Sequence, residues 1–538
     1  MKKITTVILI VLLFPTMISD AAILQNATPT QKEYLKSDVQ YEYWDTVTDA
    51  GLLKMHTVSF QPSQKKAELK LGLSHQAVTG IQQLLDMAED GNTRYNGNVI
   101  AGINGGFFSM DTSVGFGIPF DFMVQDGELY TSPPVTYQGE PYPPNGCDPY
   151  CIAMYNDNTA FVDSAPWMDI TFHTGEDTYK VNHVNRMRMT GSYQKECPDA
   201  MVLYTDKFGD STLTDSTGGQ EVVIKIQKGR VRGGDVLEGT VESLSPAGKG
   251  NTAIPKGHVV LSGCNLYKDM LCNLKRGQTV YFSFQYEQER WNRVKFAMGG
   301  VQMLISDGWI NSRLSGSAEN GGYTSPSPMT AIGVKKDGTV ILLAVDGRQP
   351  GYSNGLSVKQ LAQLMLEHGC YNAIHLDGGG STTMVVNRQE KLQVVNRPSG
   401  GSQRKIANGV LVVAYDSAQS GINTPFHAIP TFSQPSIVSS GVISNSRFIS
   451  SILNGTNTNT SLQSNQDNQQ DILTNSVSAA SYNGKEEITL SGSESMGSQI
   501  AEFKSTEKSI WIIAFSVGLG VVVAGLILGL FIFQKHRT

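Results

Sequence analysis

The stretch TVILLAVDGRQPGYSNGLSVKQLAQLMLEHGCYNAIHLDGGGSTT, residues 339–383, decides the fold. Two apolar runs, TVILLAV and NAIHL, flank a segment with helical periodicity, SVKQLAQLMLEHG. Ser357 is a capping residue at the start of that segment, and Gly369 stands where a helix-ending glycine belongs. A strand, a helix and a strand at this spacing predict a βαβ unit, whose two strands are parallel if they share a sheet.

Each strand of this unit ends in an aspartate. Asp346 follows TVILLAV, and Asp377 follows NAIHL. Parallel strands of one sheet bring both carboxylates to the same carboxyl edge, where ligands of such sheets bind. The sequence therefore predicts a ligand site at this edge.

The residues beside these aspartates suit an anion. Arg348 offers a planar fork that matches phosphate. Consecutive glycines expose backbone N–H groups, and hydroxyl side chains add donors. These residues are Gly378, Gly379, Gly380, Ser381, Thr382 and Thr383. An ordinary glycine-rich turn is the alternative interpretation of each motif taken alone.

A second glycine-rich stretch, NVIAGINGGFFSM (98–110), indicates another close approach of the backbone to a ligand, at Asn104, Gly105 and Gly106. Neither a P-loop nor a G-x-S-x-G nucleophile elbow occurs in the chain. The nine histidines have no metal-ligand spacing. We expect no cofactor and no metal in the site, with a divalent cation left open, and a core or neighbouring position for His375.

The folded region spans roughly residues 35–417, where strand patterns predominate and convincing helices are few. Helices are expected at 77–90 and 357–369, and the KKDG turn joins TAIGV to TVILLAV as a hairpin. The predicted class is α+β, a large mixed sheet domain with few helices that contains the βαβ unit.

The two ends of the chain predict export and anchoring. Residues 1–22 have the pattern of a signal peptide, and residues 418–508 form a stalk rich in Ser, Asn, Thr and Gln that is expected to be disordered. Residues 510–533 carry no charge over the length of a bilayer core, which predicts a transmembrane helix with a cytoplasmic tail at 534–538. The chain is therefore expected to be a single-pass type I membrane protein of the secretory pathway, at the cell surface or in an endomembrane.

Composition limits the classes of binding partner and indicates whether the cysteines are oxidised. The net charge is −6 and the folded region has no basic block, so nucleic acid is not an expected partner. The sequons at Asn26, Asn454 and Asn459 are consistent with a glycoprotein. Six cysteines in an exported chain predict disulfides, with a local bridge in CDPYC (147–151) and a pair between Cys264 and Cys272 across a hairpin.

Several motifs together resemble the phosphodiester glycosidase family, in the order in which that family has them: GINGGFF, TAIGVKKDGTVILLAVDGR, LDGGGSTTMVV and VNRPSGGSQRKIANGVLVV. The resemblance implies removal of a sugar from a sugar-1-phosphodiester on a glycan or glycoprotein, with cleavage at the anomeric carbon. It implies Asp377 and Asp346 as catalytic carboxylates, of which Asp377 is favoured because the glycine loop begins at the next residue. The expected substrate-binding residues are Asn104, Gly105, Gly106, Thr330, Arg348, Gly378, Gly379, Gly380, Ser381, Thr382, Arg404 and Asn408.

Departures from the family pattern leave alternatives open. Met329 stands where the family usually carries an arginine, which removes a cation from the expected phosphate site. A catalytically inactive, membrane-anchored protein that binds glycan or phosphate is one alternative. A metal-assisted phosphodiesterase, with the aspartates as ligands, is the other.

Overall fold

The computed structural model describes residues 22–415, except 26, 50, 97, 111–116, 134, 138–139, 143–149, 189–199, 216–217, 247, 313 and 315–324. All described residues belong to the first of the two units into which the chain divides, Met1–Ser439. The predicted signal peptide (apart from Ala22), stalk, transmembrane helix and tail lie outside the described residues. Within the described ranges, no helix is long and apolar enough to cross a bilayer.

The strands, numbered β1–β28 in chain order, form four larger sheets and one hairpin. Sheet A has the order β1 (Gln31–Tyr34), β2 (Gln40–Thr48), β3 (Gly51–Phe60), β24 (Val340–Val345), β23 (Met329–Lys335), β25 (Cys370–His375), β21 (Gln302–Ser306) and β22 (Trp309–Ile310). Sheet B has the order β27 (Lys391–Val394), β26 (Met384–Arg388), β5 (Val99–Asn104), β28 (Asn408–Ala414) and β4 (Ala67–Leu73).

Two further sheets continue the β-rich architecture. Sheet C has the order β11 (Ala160–Ser164), β10 (Tyr150–Tyr155), β20 (Val294–Gly299), β6 (Met123–Gln125) and β7 (Glu128–Thr131). Sheet D has the order β13 (Asp177–Lys180), β12 (Met168–Thr174), β19 (Thr279–Tyr286), β17 (Val236–Leu244), β16 (Gly219–Lys228), β18 (His258–Cys264), β15 (Met201–Thr205) and β14 (His183–Val184). The hairpin pairs β8 (Val135–Tyr137) with β9 (Glu140–Tyr142).

The α-helices of the described region are α1 (Leu84–Arg94), α2 (Leu266–Cys272) and α3 (Val358–Glu367). The sheet-rich α+β class with few helices is confirmed. The sheets are less mixed than predicted, because every described strand pair is antiparallel except β14 with β15.

The predicted βαβ unit is present with one strand inserted. Strand β23 lies between β24 and β25 and is antiparallel to both, so β24 and β25 are parallel to each other. Asp346 and Asp377 therefore follow strands that end at the same edge of sheet A, as the sequence predicts.

Helix α3 forms where it is predicted. The Ser357 side chain accepts a hydrogen bond from the Gln360 N–H, and Gln360 Oε1 accepts one from the Ser357 N–H at 2.9 Å, which completes a capping box. Gly369, at φ +84°, ends the helix. A Cβ on Gly333 of β23 would lie 2.9 Å from Met365 Cε, so this glycine permits the close packing of α3 on sheet A.

Helix α1 begins later than predicted. The pattern predicts a helix at 77–90, whereas α1 spans Leu84–Arg94. Gly80 adopts a φ of +108°, and Gln82 pairs with Ile406 in an isolated β-bridge, so the backbone of this segment bonds to the segment before β28 instead of forming helical turns.

The apolar cores place the helices on the outer faces of sheets A and B. One core joins the facing sides of sheets A and B and includes Leu71, Ile103 and Ile374. Residues of α3 pack with the opposite side of sheet A, and residues of α1 pack with the opposite side of sheet B. Sheets C and D share a separate core. The loops that carry the motifs therefore meet where the strands of sheets A and B end.

The predicted disulfide between Cys264 and Cys272 is wrong. Among the described residues no disulfide joins them; α2 lies between them instead of a hairpin turn, and Cys272 Sγ donates to Gln220 Oε1 at 3.4 Å. The predicted bridge in CDPYC involves Cys147, which lies outside the described residues.

Candidate functional site

Asn104 joins sheet A to sheet B at the centre of the site. Its strand, β5, ends at this residue, and its side chain is fully buried. The Asn104 Nδ2 donates to the Asp377 carbonyl oxygen at 2.7 Å, and Asn104 Oδ1 accepts from Thr330 Oγ1 at 2.8 Å and from the Thr383 N–H at 3.1 Å. The structure thus brings these residues together, with the Asn104 amide engaged by the protein itself.

The Asp377 carboxyl group is buried at this junction, with 7% of the residue exposed. Burial raises its pKa to about 6, against the lowering effects of a hydrogen bond from Ser381, the charge of Arg404 and the Gly378 N–H. A carboxyl group with this pKa is ionised at neutral pH and can still accept a proton readily.

Arg404 lies directly on the glycine loop. A Cβ on Gly380 would lie 2.4 Å from Arg404 Nη2, so only glycine allows this approach. The guanidinium also reaches Ser381 Oγ at 3.5 Å, and the residue is solvent-exposed. An exposed cation therefore stands beside a buried carboxylate.

The glycine loop itself is less open to an anion than the sequence predicts. The Gly378 N–H bonds to the Asp377 carboxylate, and the Gly379 N–H donates to the Pro328 carbonyl at 2.9 Å. Residues Gly379–Ser381 form a short 3₁₀ turn. The protein itself therefore occupies these two N–H groups, while Arg404 lies exposed beside the loop.

The second glycine pair has the same packing requirement. A Cβ on Gly105 would lie 2.2 Å from Asn408 Oδ1, and a Cβ on Gly106 would lie 2.3 Å from Asp121 Oδ1. Asn408 Nδ2 in turn donates to Asp121 Oδ2 at 2.8 Å. The glycines at both motifs thus admit polar side chains of the site close to the backbone.

Asp121 is a site residue that sequence reasoning missed. It is 4% exposed, and burial raises its pKa to about 7; hydrogen bonding from Asn408 and the charge of Arg186 oppose that rise, whereas the charge of Asp377 adds to it. The signal available in the sequence is a single acidic residue within the apolar run IPFDFMV, 118–124.

Asp346 is held by protein donors on both oxygens. The Arg397 N–H donates to Oδ1 at 3.0 Å and to Oδ2 at 3.1 Å, Asn396 Nδ2 donates to Oδ1 at 3.1 Å, and Tyr352 OH donates to Oδ2 at 3.1 Å. Burial raises its pKa to about 6 in spite of these bonds. Asn396 also donates to the Thr382 carbonyl at 3.1 Å, so Asp346 supports the end of the glycine loop. Its catalytic role stays a prediction.

The structure also gives the surroundings of Arg348, Met329 and His375. Arg348 is exposed at φ +57°, and its Nη2 donates to Ser327 Oγ at 3.0 Å. Met329 is fully buried and packs in the core between sheet A and α3, so the position that carries arginine in the family is apolar here. His375 is fully buried in β25, and burial lowers its pKa to about 3, which fits a neutral core residue.

In the described part of the chain, no group of three or more His, Cys, Asp or Glu side chains is arranged to hold a metal ion. The expectation that the site works without a metal stays a prediction.

Residues 225–413 match the family model for phosphodiester glycosidase. The resemblance to that family is confirmed. The matched residues contain Asp346, Asp377, Arg404 and Asn408, whereas Asn104 and Asp121 precede them.

Curated relatives agree over shorter stretches. The chain is 36% identical over 88 residues to the SPbeta prophage-derived uncharacterized protein YomE of Bacillus subtilis, covering 16% of this chain and 13% of that protein. It is 32% identical over 119 residues to the N-acetylglucosamine-1-phosphodiester alpha-N-acetylglucosaminidase of Bos taurus, covering 20% of this chain and 22% of that protein. The matches thus span less than a quarter of either relative.

A solved structure, that of a hypothetical protein from Synechocystis, has a TM-score of 0.54 and 18% identity to this chain. The alignment covers 72% of this chain and 64% of that one. This similarity shows the fold alone.

Proposed function

We propose that this chain is a membrane-anchored phosphodiester glycosidase that hydrolyses the anomeric C–O bond of a sugar-1-phosphodiester, with an N-acetylglucosamine-1-phosphodiester-like substrate. The observation that carries the proposal is the pairing of a buried carboxylate, Asp377, with an exposed guanidinium, Arg404, across the glycine loop. The family match over residues 225–413 supports the reaction class. The substrate, the secretory location and the type I anchoring are parts of the proposal.

The charges of the candidate site suit cleavage of the bond between the anomeric carbon and the phosphate oxygen. Ordinary glycosidases protonate a poor alkoxide leaving group, whereas a phosphate leaves as a stable anion and needs positive charge around it. Arg404 provides that charge at the exposed side of the loop. Arg348, also exposed, lies on the neighbouring loop, where it donates to Ser327.

The bond changes follow from this arrangement. A water oxygen forms the new bond to the anomeric carbon, and Asp377 accepts the proton of that water. The bond between the anomeric carbon and the bridging phosphate oxygen breaks, and its electron pair leaves with the phosphate. The products are the free sugar and a phosphomonoester.

Hydrolysis of an N-acetylglucosamine-1-phosphodiester by the full-length protein in oxygen-18 water tests this proposal. We expect labelled sugar by mass spectrometry and unlabelled phosphomonoester by phosphorus NMR, with no reaction by Asp377→Asn. Asp126→Asn is the matched control: Asp126 is exposed and paired with Lys70, and asparagine tolerates its φ of +52°. Label in the phosphate would instead show a phosphodiesterase. Binding without turnover would show a binding protein.

A further inference from the structure

We propose that Asp121 is a positioning residue of this site, whose carboxylate holds the Gly105–Gly106 turn and the Asn408 amide in register with Asp377. The inference rests on the proposed function for its kinetic readouts. It names a residue that precedes the region matched by the family model and that the sequence motifs do not contain.

Both carboxylate oxygens of Asp121 face the site. Oδ2 accepts from Asn408 Nδ2 at 2.8 Å, and the Gly106 N–H bonds to the same carboxylate. A Cβ on Gly106 would lie 2.3 and 2.5 Å from the two oxygens, so the turn is packed against them. The carboxylate is therefore the common acceptor for two separate segments of the site.

Backbone hydrogen bonds continue from these two segments to Asp377. The Gly105 N–H donates to the Asn408 carbonyl at 2.9 Å, and the Asp377 N–H donates to the Gly105 carbonyl at 2.9 Å. A displacement of Asn408 or of the turn is thus transmitted to the backbone that bears the Asp377 carboxylate.

The main chain of Asp121 is held from the opposite direction. The Arg186 Nη2 donates to the Asp121 carbonyl at 3.2 Å and to the Ser132 carbonyl at 2.6 Å, while Thr131 Oγ1 donates to the Asp121 carbonyl at 2.6 Å. Arg186 is 4% exposed. These bonds fix the backbone of Asp121. Its carboxylate can therefore accept hydrogen bonds from Asn408 and Gly106 in a fixed position.

Two charged groups act on Asp121, and they oppose each other. Arg186 favours the ionised carboxylate and Asp377 disfavours it, while burial and the other neighbours leave the pKa near 7. The negative charge of one carboxylate therefore raises the pKa of the other. Replacement of Asp121 by the neutral asparagine therefore changes the pH profile, which a purely structural role would leave in place.

The kinetic test uses the full-length protein with an N-acetylglucosamine-1-phosphodiester and the variants Asp121→Asn, Asn408→Ala and the double variant. A displacement near 1 Å costs up to about 10²-fold in rate, so we expect kcat to fall by about that factor in Asp121→Asn, with little change in KM. The ionisation near pH 7 should disappear from its profile of kcat/KM. Because Asp121 and Asn408 both hold the Gly105–Gly106 turn, the double variant should lose less than the sum of the two single losses.

Hydrogen exchange gives a readout that does not need turnover. We expect faster exchange of residues 98–110 in Asp121→Ala, whereas Asp126→Asn should exchange like the wild type. Gly106→Ala, which displaces the carboxylate from the other side, should reproduce the effect if Asp121→Ala does not fold. Unchanged exchange in a folded Asp121→Ala would overturn the proposal, as would strictly additive losses in the kinetic series. An inactive wild-type protein would refute only the proposed function.

Discussion

Asp377 and Asp346 follow parallel strands at one edge of the same sheet, and burial raises the pKa of each to about 6. Their neighbours differ. Asp346 accepts hydrogen bonds from Arg397, Asn396 and Tyr352, whereas Asp377 stands beside the exposed guanidinium of Arg404. Equivalent positions in a sheet therefore do not assign equivalent roles, and we expect Asp346 to hold loops and Asp377 to react.

The strongest test of this difference is Asp377→Asn. Asparagine cannot accept the proton of the attacking water, and loss of a general base typically costs about 10²–10⁴-fold in rate. We expect kcat/KM to fall within that range without any loss of unfolding free energy at neutral pH, because the substitution removes a buried charge. Steady-state kinetics and urea unfolding measure both. Retention of full activity would remove Asp377 from the mechanism.

For Asp346→Ala we expect the main effect on stability instead of on catalysis. It leaves the buried amide of Asn396 and the half-buried hydroxyl of Tyr352 without their acceptor, which costs about 2–4 kcal/mol of unfolding free energy. Urea unfolding measures this loss, with Asp126→Asn as the exposed control. An Asp346 variant as stable as the wild type but inactive would contradict the comparison and favour a catalytic Asp346.

The pH dependence of kcat/KM should contain the ionisation of Asp377 as well as that of Asp121 near pH 7. We expect kcat/KM to rise through about pH 6, because only the ionised carboxylate accepts a proton. The unfolding free energy should change with pH in the opposite direction. The folded protein binds this proton more tightly than the unfolded chain, whose ordinary pKa is 3.8, so this contribution to the unfolding free energy is lost as pH rises from about 4 to 6. Asp377→Asn should flatten that part of the wild-type curve in urea unfolding; an unchanged curve would contradict the raised pKa.

A smaller effect is expected from Gly380→Ala. Its methyl group would occupy the position of the Arg404 guanidinium, so we expect KM to rise by about tenfold, the value of one weakened charged contact. Gly400→Ala is the matched control, because its Cβ would meet only Ser402 O at 3.9 Å. Equal KM values for the two variants would show that Arg404 does not contact the substrate.

The smallest effect is expected from chelation. Activity should be unchanged after dialysis against EDTA, since the proposed chemistry relies on Arg404 for positive charge. Loss of activity that zinc, magnesium or calcium restores would favour the metal-assisted phosphodiesterase.

Local patterns predicted the secondary structure that carries the site. The strand patterns at 67–73, 258–263 and 339–345, the capping residue Ser357 and the parallel relation of β24 to β25 agree with the structure. The start of the helix predicted at 77–90 and the Cys264–Cys272 disulfide were wrong, because residues before Leu84 bridge to Ile406 and α2 precedes Cys272 in place of a hairpin turn.

By itself, the sequence determined the edge at which the two aspartates lie and the order of the glycine motifs, since both follow from apolar periodicity and spacing. Only the tertiary structure decided which side chains pack on the glycines: Arg404 and Asp121 approach Gly380 and Gly106 from neighbouring segments, and Asn408 approaches Gly105 from a distant part of the chain. It also decided which donors and charges surround each carboxylate. Burial and hydrogen bonding join segments far apart in sequence, and no local pattern encodes those contacts.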